Sequence, residues 1–257
     1  GLTTLVTVTS LVIGLASSAT AAAQLGWALG ISCETSAKWL HEASKTQPTR
    51  DWQLQPGQLV IVDEASLSGT LPLDHLRAQA TAAGAKLLLV GDHHQLAAID
   101  AGGAFGLLAR HGTAHSLTSL WRFHSRWEAH ATRALRGGDP TCLDNYAQHD
   151  RIHAGAAEVM HDAAYAAWQS DIAAGHSSLL VAADTATVTA LNTRAHTDRV
   201  VAGQITGPTV PLGDISTGGP RGSVGVGDLV LTRRNDRTLA YLGGFVRNGQ
   251  QWTVTAL

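Results

Sequence analysis

Runs of apolar residues alternate with helical periodicities along most of the chain. Leu59–Val62 is a short uninterrupted apolar run, and the segment around Leu87–Val90 is another. Runs of this kind read as strands of a parallel sheet covered on both faces. Leu11–Leu15 reads as a third such strand, followed by an Ala-rich helix from Ser18 to Leu29 and a helical TSAKWLHEA. PLDHLRAQATAAG is a helix closed by Gly84, and GGAFGLLARHG is a short one. SLTSL (116–120) and SSLLVAAD (177–184) are expected strands. Helices are expected in WRFHSRWEAHATRALRGGD, AAEVMHDAAYAAWQSDIAAG and TATVTALNTRAHTDRVVAG. This alternation predicts an α/β fold with a parallel sheet. After about residue 203 the texture turns Gly- and Pro-rich. DLVLTRR, GGFVR and QQWTVTAL then read as short antiparallel strands, with Asn248-Gly249 as a hairpin signal between the last two.

The chain has 257 residues, 44% hydrophobic and 15% charged, ordinary values for a globular protein. A formal charge of −2 gives no overall basic footprint for nucleic acid. Only three lysines occur, Lys38, Lys45 and Lys86, so phosphate contacts would rest on Arg, backbone amides and hydroxyls. Cys33 and Cys142 match neither a zinc spacing nor a disulfide framework, and the 13 histidines form no ligand pattern. No transition metal is assigned, and a reducing cytoplasmic location is expected. Residues 1–33 carry no charged side chain and imitate a signal peptide. No basic segment precedes the apolar run, however, and Ser, Thr and Gln interrupt it, so no membrane association is expected.

Two strands end in polar signatures. The first runs into adjacent carboxylates, Asp63 and Glu64; the second into Gly91-Asp92-x-x-Gln95. Ligands of open α/β sheets bind beyond the carboxyl ends of the strands. There one acid can hold Mg²⁺ while the other orients or deprotonates a water. The alternative is a helix N-terminus whose first turn favours acids.

These two signatures, one helix apart, resemble motifs II and III of superfamily 1 helicases. VIVDEASLSGT, LLLVGDHHQLAAIDAGGAFGLLA, WRFHSRWEAHATRALRGGD, SLLVAADTATVTALN and FVRNGQQWTVTAL follow one another as in the exonuclease V alpha-subunit-like helicase half of MobF-type conjugative relaxases. The resemblance runs from about Val12 to Leu257. It implies an incomplete tandem RecA-like (P-loop NTPase) fold. Residues 1–118 would be a partial first RecA-like domain, 119–205 the start of a second, and 225–257 a partial SH3-like β insert.

The resemblance also implies roles. Asp63 would bind Mg²⁺ through water, Glu64 would position or activate the attacking water, and Gln95 would sense the γ-phosphate. Asp92 would shape the loop before it, and Arg122, in LWRF, would be the motif IV arginine. Ser17, Ser18 and Thr20 would contact single-stranded DNA as motif Ia, although Ser17 stands where the family has Pro. Thr35 would lie in motif Ib. Local chemistry offers plainer roles: N-capping for Ser17 or Ser18, a helix-start surface position for Arg122, and core packing for Trp39.

ATP, Mg²⁺ and single-stranded DNA are thus the implied cofactors and partners, with a relaxase nuclease domain on the same parent polypeptide. Departures are Trp121 in place of a basic residue, and the missing phosphate loop. No G-x-x-x-x-G-K-[ST] string occurs, and Leu2 stands where its lysine would be. A fragment of an ATP-dependent translocase of conjugative transfer is expected, itself inactive. The alternative is a catalytically dead nucleotide- or DNA-binding remnant serving as an interaction module. A dehydrogenase would need G-x-G-x-x-G after the first strand, and none is present.

Overall fold

The computed structural model describes residues 11–96, 98, 101–112, 114–117, 119–121, 123–212, 222–242 and 244–257. The chain divides into two compact units. One comprises residues up to 122 together with Thr232–Gln250; the other comprises Phe123–Leu231 and Gln251–Leu257.

The first unit is built on four parallel strands: β1 (Val12–Ala16), β2 (Ser32–Thr35), β3 (Leu59–Val62) and β4 (Lys86–Leu89), in the order β2-β1-β3-β4. Helices α1 (Ala19–Leu29) and α2 (Ser36–Ala43) flank β2, and α3 (Thr70–Ala83) joins β3 to β4. The parallel sheet with flanking helices fits an α/β fold of the P-loop NTPase kind. Gly84 closes α3 in the left-handed conformation, as its sequence indicates.

The core lies on one face of this sheet. Leu15, Val60 and Val62 pack with Trp39 of α2 and with Leu73 and Leu76 of α3. Trp39 is 3% exposed, its ring 5.7 Å from that of Trp52, and its indole N–H donates to Gln79 at 3.0 Å. Trp39 is therefore a core residue. On the other face α1 lies over β1 and β2, with Leu25 against Gly14. Coverage of both faces, expected from the apolar runs, holds only in part. Burial alternates along β3 and β4, and Leu88 is 46% exposed.

Two further elements follow in chain order: α4 (Ala104–His111) and, in the second unit, α5 (Arg126–Arg136). Then come α6 (Cys142–Gln148), α7 (Ala157–Ala173) and α8 (Thr185–Val201). Trp127 stacks on His149 at 3.7 Å and meets Tyr146 edge-on, joining α5 to α6. Tyr165 joins α7 to α8: buried, it donates to Asp198 at 2.8 Å beneath the Arg194 guanidinium.

The strands expected at 116–120 and 177–184 are not formed. Ser116, Leu117, Ser119 and Leu120 are irregular, and Thr118 lies outside the described residues. Leu117, Leu179 and Val181 are 99%, 84% and 78% exposed. An apolar run becomes a strand only where a neighbour completes its ladder, and among the described residues none pairs with either segment.

Strands do form after residue 205, with a different pairing from that expected. β5 (Thr206–Pro211) pairs with β6 (Ser223–Val226), and β7 (Leu229–Leu231) with β10 (Gln251–Thr253). In the first unit β8 (Asp236–Tyr241) pairs with β9 (Gly244–Val246). Asn248-Gly249 is a turn, closed by Gln250 N–H to Arg247 C=O at 3.4 Å, but it does not pair β9 with β10. Gly249 has φ 84° whereas Asn248 is not at positive φ. A two-residue hairpin of type I′ needs both, so this turn lets the two strands diverge to separate partners.

Candidate functional site

The order β2-β1-β3-β4 reverses direction at β1. The chain steps from β1 to β2 on one side, then crosses back to β3 on the other. The crevice between the carboxyl ends of β1 and β3 is thus the switch point at which such sheets bind ligands. Asp63 and Glu64 leave β3 there. Asp63 N–H donates to Leu15 C=O at 2.8 Å and Ala65 N–H to Val90 C=O at 2.9 Å, so both neighbouring strands hold the acid pair.

Between these two anchors the backbone is strained. Glu64 has φ 51° and ψ 41°, a left-handed conformation that costs a non-glycine residue roughly 1–2 kcal/mol. Its N–H donates to its neighbour's Asp63 Oδ1 at 3.0 Å. The bonds to the strands on each side hold Glu64 in that conformation.

The loop after β4 lies directly against this turn. A Cβ on Gly91 would sit 3.1 Å from Ser66 N, 3.2 Å from Ala65 N and 3.3 Å from the Phe105 ring. Glycine is what allows the two loops to touch. Beyond it, Asp92 Oδ1 accepts from His94 N–H at 3.0 Å and Asp92 C=O from Gln95 N–H at 3.2 Å, which folds the loop so that Gln95 is exposed at its end. Ala98 N–H returns to Ser66 C=O at 3.3 Å. The structure thus brings Asp63, Glu64, Asp92 and Gln95 onto adjoining loops at one edge of the sheet. Arg122 lies outside the described residues.

Ser17 and Ser18 follow β1 at the same edge and are exposed. Ser18 caps α1, its Oγ accepting from Ala21 N–H at 3.1 Å. Thr35 caps α2, accepting from Lys38 N–H at 3.3 Å. Thr20 donates its hydroxyl proton to Asn248 C=O at 2.9 Å. The capping role expected on local grounds therefore holds for Ser18, and Thr35 has the same one. Among the described residues neither Ser18 nor Thr35 donates its hydroxyl proton while capping, whereas Thr20 does.

Sequence reading missed an ionic cluster beside these loops. Glu34, at the end of β2, accepts from Lys38 Nζ at 2.6 Å and from Arg237 at 3.2 Å. Burial alone would raise its carboxyl. The Lys38 bond, the Thr35 N–H and the two cations outweigh that and hold it below the usual carboxylate value. Burial pushes the Cys33 thiol up, away from a reactive thiolate.

Half-buried oxygen donors at a strand end suit a hard divalent cation that keeps most of its own water. Asp63 and Glu64 therefore fit the magnesium side of a nucleotide site. No group of three or more His, Cys, Asp or Glu side chains forms a metal cage among the described residues. The amide cradle that would hold the phosphates has no sequence counterpart in the chain.

Residues 5–157 match the AAA domain family. The chain is also 31% identical, over 142 residues, to the probable conjugal transfer protein TraA of Sinorhizobium fredii (strain NBRC 101917 / NGR234). It is 32% identical over 142 residues to the conjugal transfer protein TraA of Rhizobium radiobacter. Each match covers 55% of this chain and 12% of the relative, so the chain spans about an eighth of the length of the curated relatives it matches.

Proposed function

Because the chain belongs to the AAA domain family, we propose that it is a segment of an ATP-dependent translocase of single-stranded DNA that works in conjugative transfer. One observation carries the phosphoryl-transfer part: the strained Asp63-Glu64 turn at the switch point, in contact through Gly91 with the loop that presents Gln95. Conjugation is carried over from the two relatives.

Bound Mg²⁺–ATP supplies the phosphoryl group and neutralises its charge. Asp63 would hold the metal. Glu64 orients the attacking water and accepts its proton. Gln95 donates its amide N–H to a phosphoryl oxygen and accepts from that water with its carbonyl. Asp92 fixes the loop that carries Gln95. Arg122 stabilises charge on the transferring group with a planar guanidinium. The amides and hydroxyls of Ser17 and Ser18, at the start of α1, hold backbone phosphates of the strand, and Thr35 holds another. Thr20 joins them only when the Asn248 turn lifts away.

In this reading 1–118 is a partial first RecA-like domain, 119–205 begins the second, and the ladders of 225–257 belong to an SH3-like insert. The superfamily 1B, MobF-type subtype is part of the same reading. The missing phosphate-loop string favours a second one, a catalytically silent nucleotide- or DNA-binding remnant.

Phosphate release separates the two. The 257-residue chain alone releases phosphate at background rate under either reading. The longer polypeptide in which the segment works hydrolyses ATP in response to single-stranded DNA under the first, and Arg122→Ala slows it. A longer polypeptide inert to DNA would leave only the remnant.

A further inference from the structure

The segment Thr232–Gln250 carries Arg233, Arg234, Arg237 and Arg247 against one acid, Asp236, in a chain whose overall formal charge is −2. Asp236 accepts from Thr238 N–H at 2.9 Å and from the Thr238 hydroxyl at 2.6 Å. Arg233, Arg234 and Arg237 are exposed. The Arg237 and Arg247 guanidiniums lie 4.4 and 4.9 Å from the centroid of the Phe245 ring. A ring that holds two guanidiniums fixes them before a ligand arrives and lowers the ordering cost of gripping one. Covered in this way, Phe245 serves the arginines rather than a base.

The hairpin is moored at the ligand-binding edge of the sheet. The Asn248-Gly249 turn that follows its second strand accepts the Thr20 hydroxyl through Asn248 C=O, just after β1. Its first strand reaches Glu34 through Arg237, at the end of β2. Lys38 shares that carboxylate at 2.6 Å, so two cations meet one anion and positive charge is left over.

We infer that the β8–β9 hairpin and its flanking arginines form a phosphate-gripping wall for single-stranded nucleic acid, beside the β1–α1 loop. Arg237 and Arg247 would be pre-set by Phe245, and Arg233 and Arg234 would add reach. The wall grips phosphates, so it reads no sequence. The preference for a single strand rests on the function proposed above.

Fluorescence anisotropy with a labelled oligothymidylate and a matched duplex, over a salt series, tests this on the 257-residue chain. Arg247→Ala and the double variant Arg233→Ala/Arg234→Ala should each weaken single-strand binding. For every phosphate no longer neutralised, the slope of log affinity against log salt should become shallower by about 0.7. Arg247→Lys should recover part of the affinity, and thermal melting should confirm that the variants fold. Wild-type affinity in the arginine variants, with weaker binding in Ser17→Ala, would overturn the wall and leave the loop assignment standing. Equal weakening for duplex and single strand would mean a general polyanion patch, which also overturns it. No binding by the unaltered chain would overturn both the wall and the proposed strand contacts, without touching the nucleotide roles of Asp63 and Glu64.

Discussion

At the scale of single residues, Asp63, Glu64 and Gly91 shape the candidate site, and their placement at strand ends was legible for a local reason. An apolar strand running into two acids, and another running into Gly-Asp, are patterns within a few positions. Their contact through Gly91 sharpens one prediction. A Cβ there meets backbone atoms, which cannot swing aside as a side-chain tip can. Gly91→Ala should therefore cost about 1–3 kcal/mol, the usual range for overpacking. A lowered melting temperature checks this, and an unchanged one would mean the loops separate freely. Glu34 was not legible as a site residue, because its partner Arg237 lies 203 positions away. Its carboxyl is held below the usual value, so its contribution to stability is present above about pH 4.5 and lost as the pH falls through the lower folded value. Acid melting curves should show a smaller loss below pH 4.5 for Glu34→Gln than for the unaltered chain.

At the scale of elements, helices were easier to read than strands. A helix satisfies its own backbone, so period, cap and closing glycine mark it from within; Ser18, Gly30 and Gly84 bracket α1 and α3 this way. A strand needs a neighbour that local sequence does not reveal. Leu179 and Val181 look like strand residues and lie exposed, while Ser32–Thr35, with little apolar character, becomes β2 because β1 offers its edge. The Gly- and Pro-rich stretch hid β5 and β6 for the same reason. His196 illustrates the risk of reading chemistry from proximity. It lies 3.2 Å from the Ser223 hydroxyl and 2.9 Å from Asp228, like a nucleophile relay. The Nδ1 contact with Asp228 falls outside hydrogen-bond geometry, so the three groups form no aligned relay, and their close approach joins α8 to the strands around Asp228. The α7–α8 pairing rests on Tyr165, whose phenol is pushed up to about 12, first by burial and then by its bond to Asp198. A raised value means this stability is whole below the ordinary value of 10 and is lost as pH rises through about 12. Tyr165→Phe should cost about 1.5–3 kcal/mol, the net worth of one hydrogen bond to a charged group. The loss should vanish at high pH, as denaturant titration at neutral and alkaline pH would show.

At the scale of the whole molecule, the order of the blocks pointed to a helicase-like region before any strand was placed. The family match over residues 5–157 and the similarity to two conjugal transfer proteins agree with that coarse reading. Pairing after residue 205 was not legible, because the hairpin of Thr232–Gln250 groups with residues more than two hundred positions earlier. In the proposed function the Asp63-Glu64 turn handles a nucleotide and its attacking water. DNA-stimulated phosphate release by the longer polypeptide carrying Glu64→Gln, measured beside its nucleotide affinity, tests this most directly. The amide keeps the shape of the side chain but cannot take a proton. Release should fall to background while nucleotide still binds as in the unaltered protein. Release at the unaltered rate would contradict the assignment and move the chemistry elsewhere.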